Sequence, residues 1–133
     1  MTLVLDTRTL LWSIGKSSAL SSAALEVIKD GNNDILISAV SLWEISVKLS
    51  LGTLVIGSLE VQDIPFYCKE LGFTLIPLDP VDALASAHLP RKATHQDPFE
   101  RMVLYQCIRH NYTLVSPNQI ISLYKEDGLK YIW

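Results

Sequence analysis

The tightest constraint on this chain is a repeated alternation. Short runs such as Leu3-Val4-Leu5, Ile35-Leu36-Ile37 and Leu114-Val115 are apolar at every position. Longer segments between them repeat their apolar residues at helical spacing. A half-exposed strand alternates apolar with polar residues, whereas a wholly apolar one must be covered on both faces. Strands of that kind belong to parallel sheets, whose crossovers run through helices. The expected fold class is α/β: a three-layer α/β/α arrangement around a mainly parallel central sheet, formed by a single domain over residues 1–133.

Strands are expected at Thr2–Leu5, Ile35–Ile37, Phe73–Ile76, Thr113–Val115 and Lys130–Ile132. Helices are expected from Thr7 to Ile14, from a Ser21 cap to Lys29, from about Ser41 to Ser50, from Val61 to Leu71, from Pro80 to His88, and after Asp97 to about His110. A helical turn or two is expected at Asn118–Tyr124. The segment after Asp97 is apolar on most sides (Phe99, Met102, Val103, Leu104, Cys107, Ile108), as helices in the middle of a fold are.

With 49 % hydrophobic and 19 % charged residues, the chain can bury a substantial core and does not read as disordered. A net charge of −3 gives no bulk attraction to nucleic acid, so such a site would have to be a local patch. Cys68 and Cys107 show no metal-ligand or redox spacing and read as buried free thiols, which favours a reducing compartment. The N-terminus lacks a charged region ahead of its apolar run, and no apolar run approaches the ~18 residues of a membrane span. A cytoplasmic location is expected, with no membrane partner.

In parallel sheets, ligands bind beyond the carboxyl ends of the strands. The residues there are Asp6, ending the first strand; Glu44, one turn into the helix after the second; Asp97 and Glu100, opening the apolar helix; and Ser116 and Asn118, after the fourth strand. Each has an ordinary explanation. Asp6 can cap its helix. Ser41-Leu42-Trp43-Glu44 and Asp97-Pro98-Phe99-Glu100 both read as capping boxes, and Glu44 can pair with Lys48 one turn on. Several acids at one end of one sheet would nevertheless repel each other unless a cation or shared proton intervened. An oxygen-only cluster suits a hard divalent cation, Mg²⁺ or Mn²⁺.

At these residues the chain carries a resemblance. LVLDTRTLLW, ISAVSLWEISVKLSLG, HQDPFERMVLYQ and YTLVSPNQ, in that order, resemble the PIN-domain family, and more narrowly the VapC-type toxins of bacterial toxin–antitoxin pairs. The similarity runs over essentially the whole chain. It implies a metal-dependent endoribonuclease in which acids gather Mg²⁺ or Mn²⁺ and a metal-activated water attacks an RNA phosphodiester. It also implies a small antitoxin partner and a homodimer. Carried onto this sequence, the catalytic and metal-binding acids are Asp6, Glu44, Asp97 and Glu100, and the Ser/Thr-x-Asp piece falls on Ser116-Pro117-Asn118. The chain departs from the pattern at three of these points. Asn118 stands where Asp is usual, Glu100 stands where Asp is usual, and Arg8 stands where this subgroup often has His. The alternative reading is a weakened member that binds RNA or a protein partner without cutting.

Arg8, Lys48, Arg91, Lys92 and Arg101 could line a phosphate path, or form a solvated face, with Arg101 alternatively pairing with one of the acids. His95 is open between a proton or phosphate role and hydrogen bonding within its loop. Trp12 and Trp43 are expected in the core, with a partner groove as the alternative. The start LDTRTL is similar to the aspartyl-phosphate phosphatases, but Arg8 replaces the second Asp of their motif, which removes the proton donor. No Gly-rich phosphate loop and no local Ser-His-Asp or Cys-His motif is present.

Overall fold

The computed structural model describes residues 1–133. Its strands are β1 (Thr2–Leu5), β2 (Asp34–Ser38), β3 (Thr74–Ile76), β4 (Thr113–Val115) and β5 (Lys130–Ile132). They form one five-stranded sheet in the order β3-β2-β1-β4-β5, with every neighbouring pair parallel. The helices are α1 (Thr7–Gly15), α2 (Ser22–Lys29), α3 (Ala39–Ser50), α4 (Ile64–Glu70), α5 (Pro80–Ala85) and α6 (Pro98–His110), and a 3-10 helix covers Gln119–Asp127.

The wholly apolar strands are explained by two separate cores. Leu3 and Leu5 of β1, Ile35 and Ile37 of β2 and Val115 of β4 meet Leu10 of α1, Ala24 of α2, Ile45 of α3, and Ile64 and Cys68 of α4. The intervening residues Val4, Leu36 and Leu114 join Val40, then Val103, Leu104 and Cys107 of α6, and Tyr124. Successive strand residues point to opposite faces, so each face has helices to cover it and the three-layer α/β/α architecture follows. Each fully buried Leu, Ile or Val in these cores contributes about 1.5–3 kcal/mol relative to exposure. Cys68 and Cys107 are free and buried, and burial pushes the Cys107 thiol far above its ordinary range, so it packs as a small apolar group.

The chain winds outward from β1 to β2 and β3, then returns to the other side of β1 with β4. Strand order therefore reverses between β1 and β4, which opens a crevice at their carboxyl ends. Backbone continuity there is tight: Asp6 N–H donates to Val115 O at 3.1 Å, and Thr9 Oγ1 donates to the same carbonyl at 3.1 Å.

Several boundaries differ from the sequence expectation. α3 starts at Ala39, because Ser38 is its N-cap and accepts from Val40 N–H at 3.1 Å. The Ser41–Glu44 capping box is thus not formed; Ser41 lies inside the helix, and its buried hydroxyl has no hydrogen-bond partner. The expected Val61–Leu71 helix splits into a 3-10 turn at Val61–Asp63 and α4, with Pro65 in the first turn of α4. The expected Pro80–His88 helix likewise divides into α5 and a 3-10 turn at Ser86–His88. Trp43 is not a core residue: it is 62 % exposed and meets Phe99 edge-on, with ring centroids 5.0 Å apart. Trp12 is half-buried against Trp133.

Candidate active site

Asp6 sits at the crevice and serves two purposes at once. Its Oδ1 accepts from Thr9 N–H at 2.8 Å, which caps α1. Its Oδ2 accepts from Ser116 Oγ at 2.6 Å, which ties the end of β1 to the residue after β4. Burial raises the Asp6 carboxyl above its ordinary 3.8; bonds from Ser116 and Thr9 pull it back, and the charge of Glu100 adds to the rise.

Glu44 is released from capping by the earlier start of α3, and its side chain is nearly buried at the cavity. Thr7 Oγ1 donates to its Oε1, and the Lys48 ammonium contacts its Oε2 one helical turn away. Lys48 also reaches Asp97 Oδ2 at 3.5 Å. Burial pulls the Lys48 ammonium down, but Glu44 and then Asp97 outweigh it and the net shift is upward. Asp97 is the N-cap of α6: its Oδ1 accepts from Phe99 N–H at 2.9 Å and Glu100 N–H at 3.1 Å, which leaves Oδ2 facing Lys48.

Glu100 does not close a capping box with Asp97. Its carboxylate accepts from Asn118 Nδ2 at 2.8 and 2.9 Å, one bond to each oxygen, and Oε2 lies 3.0 Å from His95 Nε2. Asn118 is itself the N-cap of the 3-10 helix, with Oδ1 accepting from Ile120 N–H at 3.1 Å. Asn118 therefore turns its amide nitrogen, not its carbonyl oxygen, toward the acids.

Asp6, Glu44, Asp97 and Glu100 line one cavity of about 320 Å³ together with Thr7, Arg8 and Lys48. The carboxylates and hydroxyl of that wall are hard oxygen donors, which suit a divalent cation of the Mg²⁺ class and not a soft metal. The raised Asp6 carboxyl is a strain that such a cation would relieve. As the side chains stand, no three His, Cys, Asp or Glu groups converge as a ready metal-holding set. Each acid is held by a protein partner instead: Asp6 by Ser116, Glu44 and Asp97 by Lys48, and Glu100 by Asn118. The donors fit the ion, and Lys48 is the group that would move aside.

The other cations separate. Arg8 and Lys48 are at the cavity. Lys92 pairs with Glu126 and Asp127. Arg101 neither faces the cavity nor pairs with an acid: its guanidinium is buried, donating to Pro90 O at 3.1 Å, Leu89 O at 3.0 Å and the Tyr124 hydroxyl at 2.9 Å. Sequence reasoning missed Thr7 and Tyr124. Thr7 follows Asp6 at a helix start and could have been weighed for that reason. Tyr124 looked like the end of a helical turn, and nothing local signals where its hydroxyl goes.

The PIN-domain family profile matches residues 3–126. A search of curated proteins finds no match to the sequence. Among solved structures, the chain is similar to VapBC2 from Rickettsia felis bound to a DNA fragment from their promoter, at 18 % identity and a TM-score of 0.66, with 99 % of this chain and 98 % of that chain covered. It is similar to a domain of a functionally unknown protein from Methanocaldococcus jannaschii, at 14 % identity and a TM-score of 0.61, with 99 % and 89 % covered. It is also similar to FitAcB from Neisseria gonorrhoeae, at 12 % identity and a TM-score of 0.56, with 98 % and 96 % covered. At these identities the likeness is one of fold.

Proposed function

This chain belongs to the PIN-domain family, and on that premise we propose that it is a divalent-metal-dependent endoribonuclease, the toxin of a toxin–antitoxin pair. Proteins of this family are generally nucleases and typically use divalent metals. The observation that carries the reading is the convergence of Asp6, Glu44, Asp97 and Glu100, from three separate segments, on one cavity at the strand-order reversal.

In this reading those four carboxylates hold Mg²⁺ or Mn²⁺. When bound, such a cation would supply Lewis-acid activation of water and charge neutralisation at the phosphate. The chain's own residues do the rest. Ser116 and Thr9 fix the Asp6 carboxylate at both oxygens, so it is oriented before any ligand arrives. Arg8 and Lys48, at the same cavity, supply the local positive charge for an RNA backbone that the net charge of −3 does not offer elsewhere.

The antitoxin belongs to the proposal because the similar structures include toxin–antitoxin complexes. An apolar groove of about 450 Å³, lined by Leu11, Trp12, Leu54, Val55, Ile56 and Leu59, shares Arg8 with the acidic cavity. A segment lying in that groove would reach the acids from the side and block them. A homodimer completes the proposal.

Cleavage of a mixed RNA pool with Mn²⁺, with and without chelator, beside an Asp6→Asn variant, tests the reading. Cutting that needs the metal and vanishes in the variant is expected. One observation favours a second reading, a family member that binds without cutting: Lys48 and Asn118 already engage three of the four acids. Absence of cutting by a folded wild-type protein would select it.

A further inference from the structure

One buried hydrogen-bond chain ends at the acidic cavity and has no part in the roles assigned above. It starts at Arg101, anchored by the Leu89 and Pro90 carbonyls. It runs through the Tyr124 hydroxyl, 2.9 Å from Arg101 Nη1 and 2.9 Å from His95 Nδ1. It continues across the imidazole to Nε2, 3.0 Å from Glu100 Oε2. Tyr124 is fully buried and His95 is 5 % exposed.

The direction of this chain follows from proton counting. A guanidinium only donates, so the Tyr124 oxygen accepts from Arg101. Its single hydroxyl proton then needs a buried acceptor, and His95 Nδ1 is the one within reach. The ring proton is thereby assigned to Nε2, where it points at Glu100. The loop makes a considerable effort to deliver this ring: Ala93 adopts φ +47° in the turn closed by His95 N–H donating to Lys92 O at 2.9 Å. A left-handed conformation is unfavourable at a residue with a Cβ.

We propose that His95 is a positioning residue for Glu100: the Arg101–Tyr124 pair fixes its tautomer, and its Nε2–H holds the Glu100 carboxylate in the orientation used for cation binding. This rests on the nuclease reading for its purpose, though not for its geometry. His95 works opposite Asn118, so Glu100 is gripped from two sides and its longer side chain loses the freedom that the extra methylene would give. Partners of this kind behind a metal ligand, when removed, cost about 10–100-fold in metal affinity.

The test uses the full chain and Mn²⁺ alone. Calorimetric titration is expected to give His95→Ala a Mn²⁺ affinity at least about tenfold weaker than wild type. His95→Gln should recover most of that loss, because its amide N–H can occupy the place of Nε2–H, and a generic packing role would not be rescued this way. Imidazole nitrogen NMR of the metal-free protein reads the geometry separately. It should report His95 protonated at Nε2, with the signal displaced in Glu100→Gln and the tautomer no longer fixed in Tyr124→Phe. Wild-type affinity in His95→Ala, no rescue by Gln, or a proton on Nδ1 would each overturn the proposal. If wild type neither binds Mn²⁺ nor cuts RNA, the nuclease reading fails, and the tautomer and its response to Glu100→Gln decide the positioning by themselves.

Discussion

Asn118 donates from one amide nitrogen to both carboxylate oxygens of Glu100, at 2.8 and 2.9 Å. These are two of the positions that the sequence resemblance marks as departures from the usual residues, and the structure brings them into contact. Had Asp stood at 118, two carboxylates would face each other where a donor now meets an acceptor. The two substitutions are complementary: one removes a negative charge and the other reaches toward the donor that replaced it.

Asn118→Asp should therefore behave in opposite ways with and without metal. Without divalent cation it is expected to lose about 2 kcal/mol, from a hydrogen bond to a charged group and new like-charge repulsion. With Mn²⁺ it should gain more stability than wild type does. Thermal melts of both proteins, with and without MnCl₂, check this; equal metal responses would show that position 118 lies outside the cation's reach.

Asp6 supplies a pH prediction. Its carboxyl is raised above 3.8, mainly by burial, so it is more readily protonated in the fold than in the unfolded chain. Such a group leaves stability intact below the unfolded value and erodes it as pH rises through the folded one. Asp6→Asn, which can still cap α1, should differ little from wild type near about pH 4 and gain on it toward neutrality. Denaturant midpoints across that range, without metal, are the measurement. A difference independent of pH would mean that Asp6 is not penalised by its burial.

Ser41→Ala should stabilise the protein. The hydroxyl is buried without a partner inside α3, and its removal ends an unsatisfied burial while improving helix propensity. The expected gain is about 1 kcal/mol, read from the urea midpoint. A loss of stability would mean that the hydroxyl bonds to something, such as an internal water.

Lys48→Gln removes the positive charge that bridges Glu44 and Asp97. Mn²⁺ affinity is expected to rise about tenfold, the effect of one nearby charge at moderate screening. RNA affinity should fall, with a shallower dependence on salt. Calorimetry and a filter-binding salt series measure the two; a fall in Mn²⁺ affinity would show that Lys48 organises the acids for the metal and does not compete with it.

The sheet was legible because its evidence is local and redundant. β1, β4 and β5 fall on the expected residues, since a strand covered on both faces must be apolar throughout. α3 was misplaced because two serines three residues apart could both cap, and only the tertiary position of Ser38, bonded also to Gln106, decides between them. Trp43 was placed in the core because an aromatic on a helix is usually buried, and the side of the helix it faces is not written in its neighbours. For the site, the acids were visible as strand-end and helix-start residues. Their local contacts were legible too: the caps by Asp6 and Asp97 and the Glu44–Lys48 pair all form. The distant contacts were not. The partner of Asp6 lies 110 residues away at Ser116, and the bond from His95 to Tyr124 crosses 29 residues. No spacing rule reaches that far.

The span from Asp6 to Ser116 also sets a time. A ribosome releases Asp6 more than a hundred residues before Ser116, and β4, which ends just before Ser116, pairs with β1 across that whole separation. Long-range parallel pairing is among the slower steps a chain can take. Until it happens the cavity lacks Leu114 in its wall, and Asp6 lacks the bond from Ser116 that orients it. If the completed pocket cuts RNA, the translating ribosome is shielded from its own product until β4 has emerged, and a partner that must silence the protein has the whole of that interval in which to arrive.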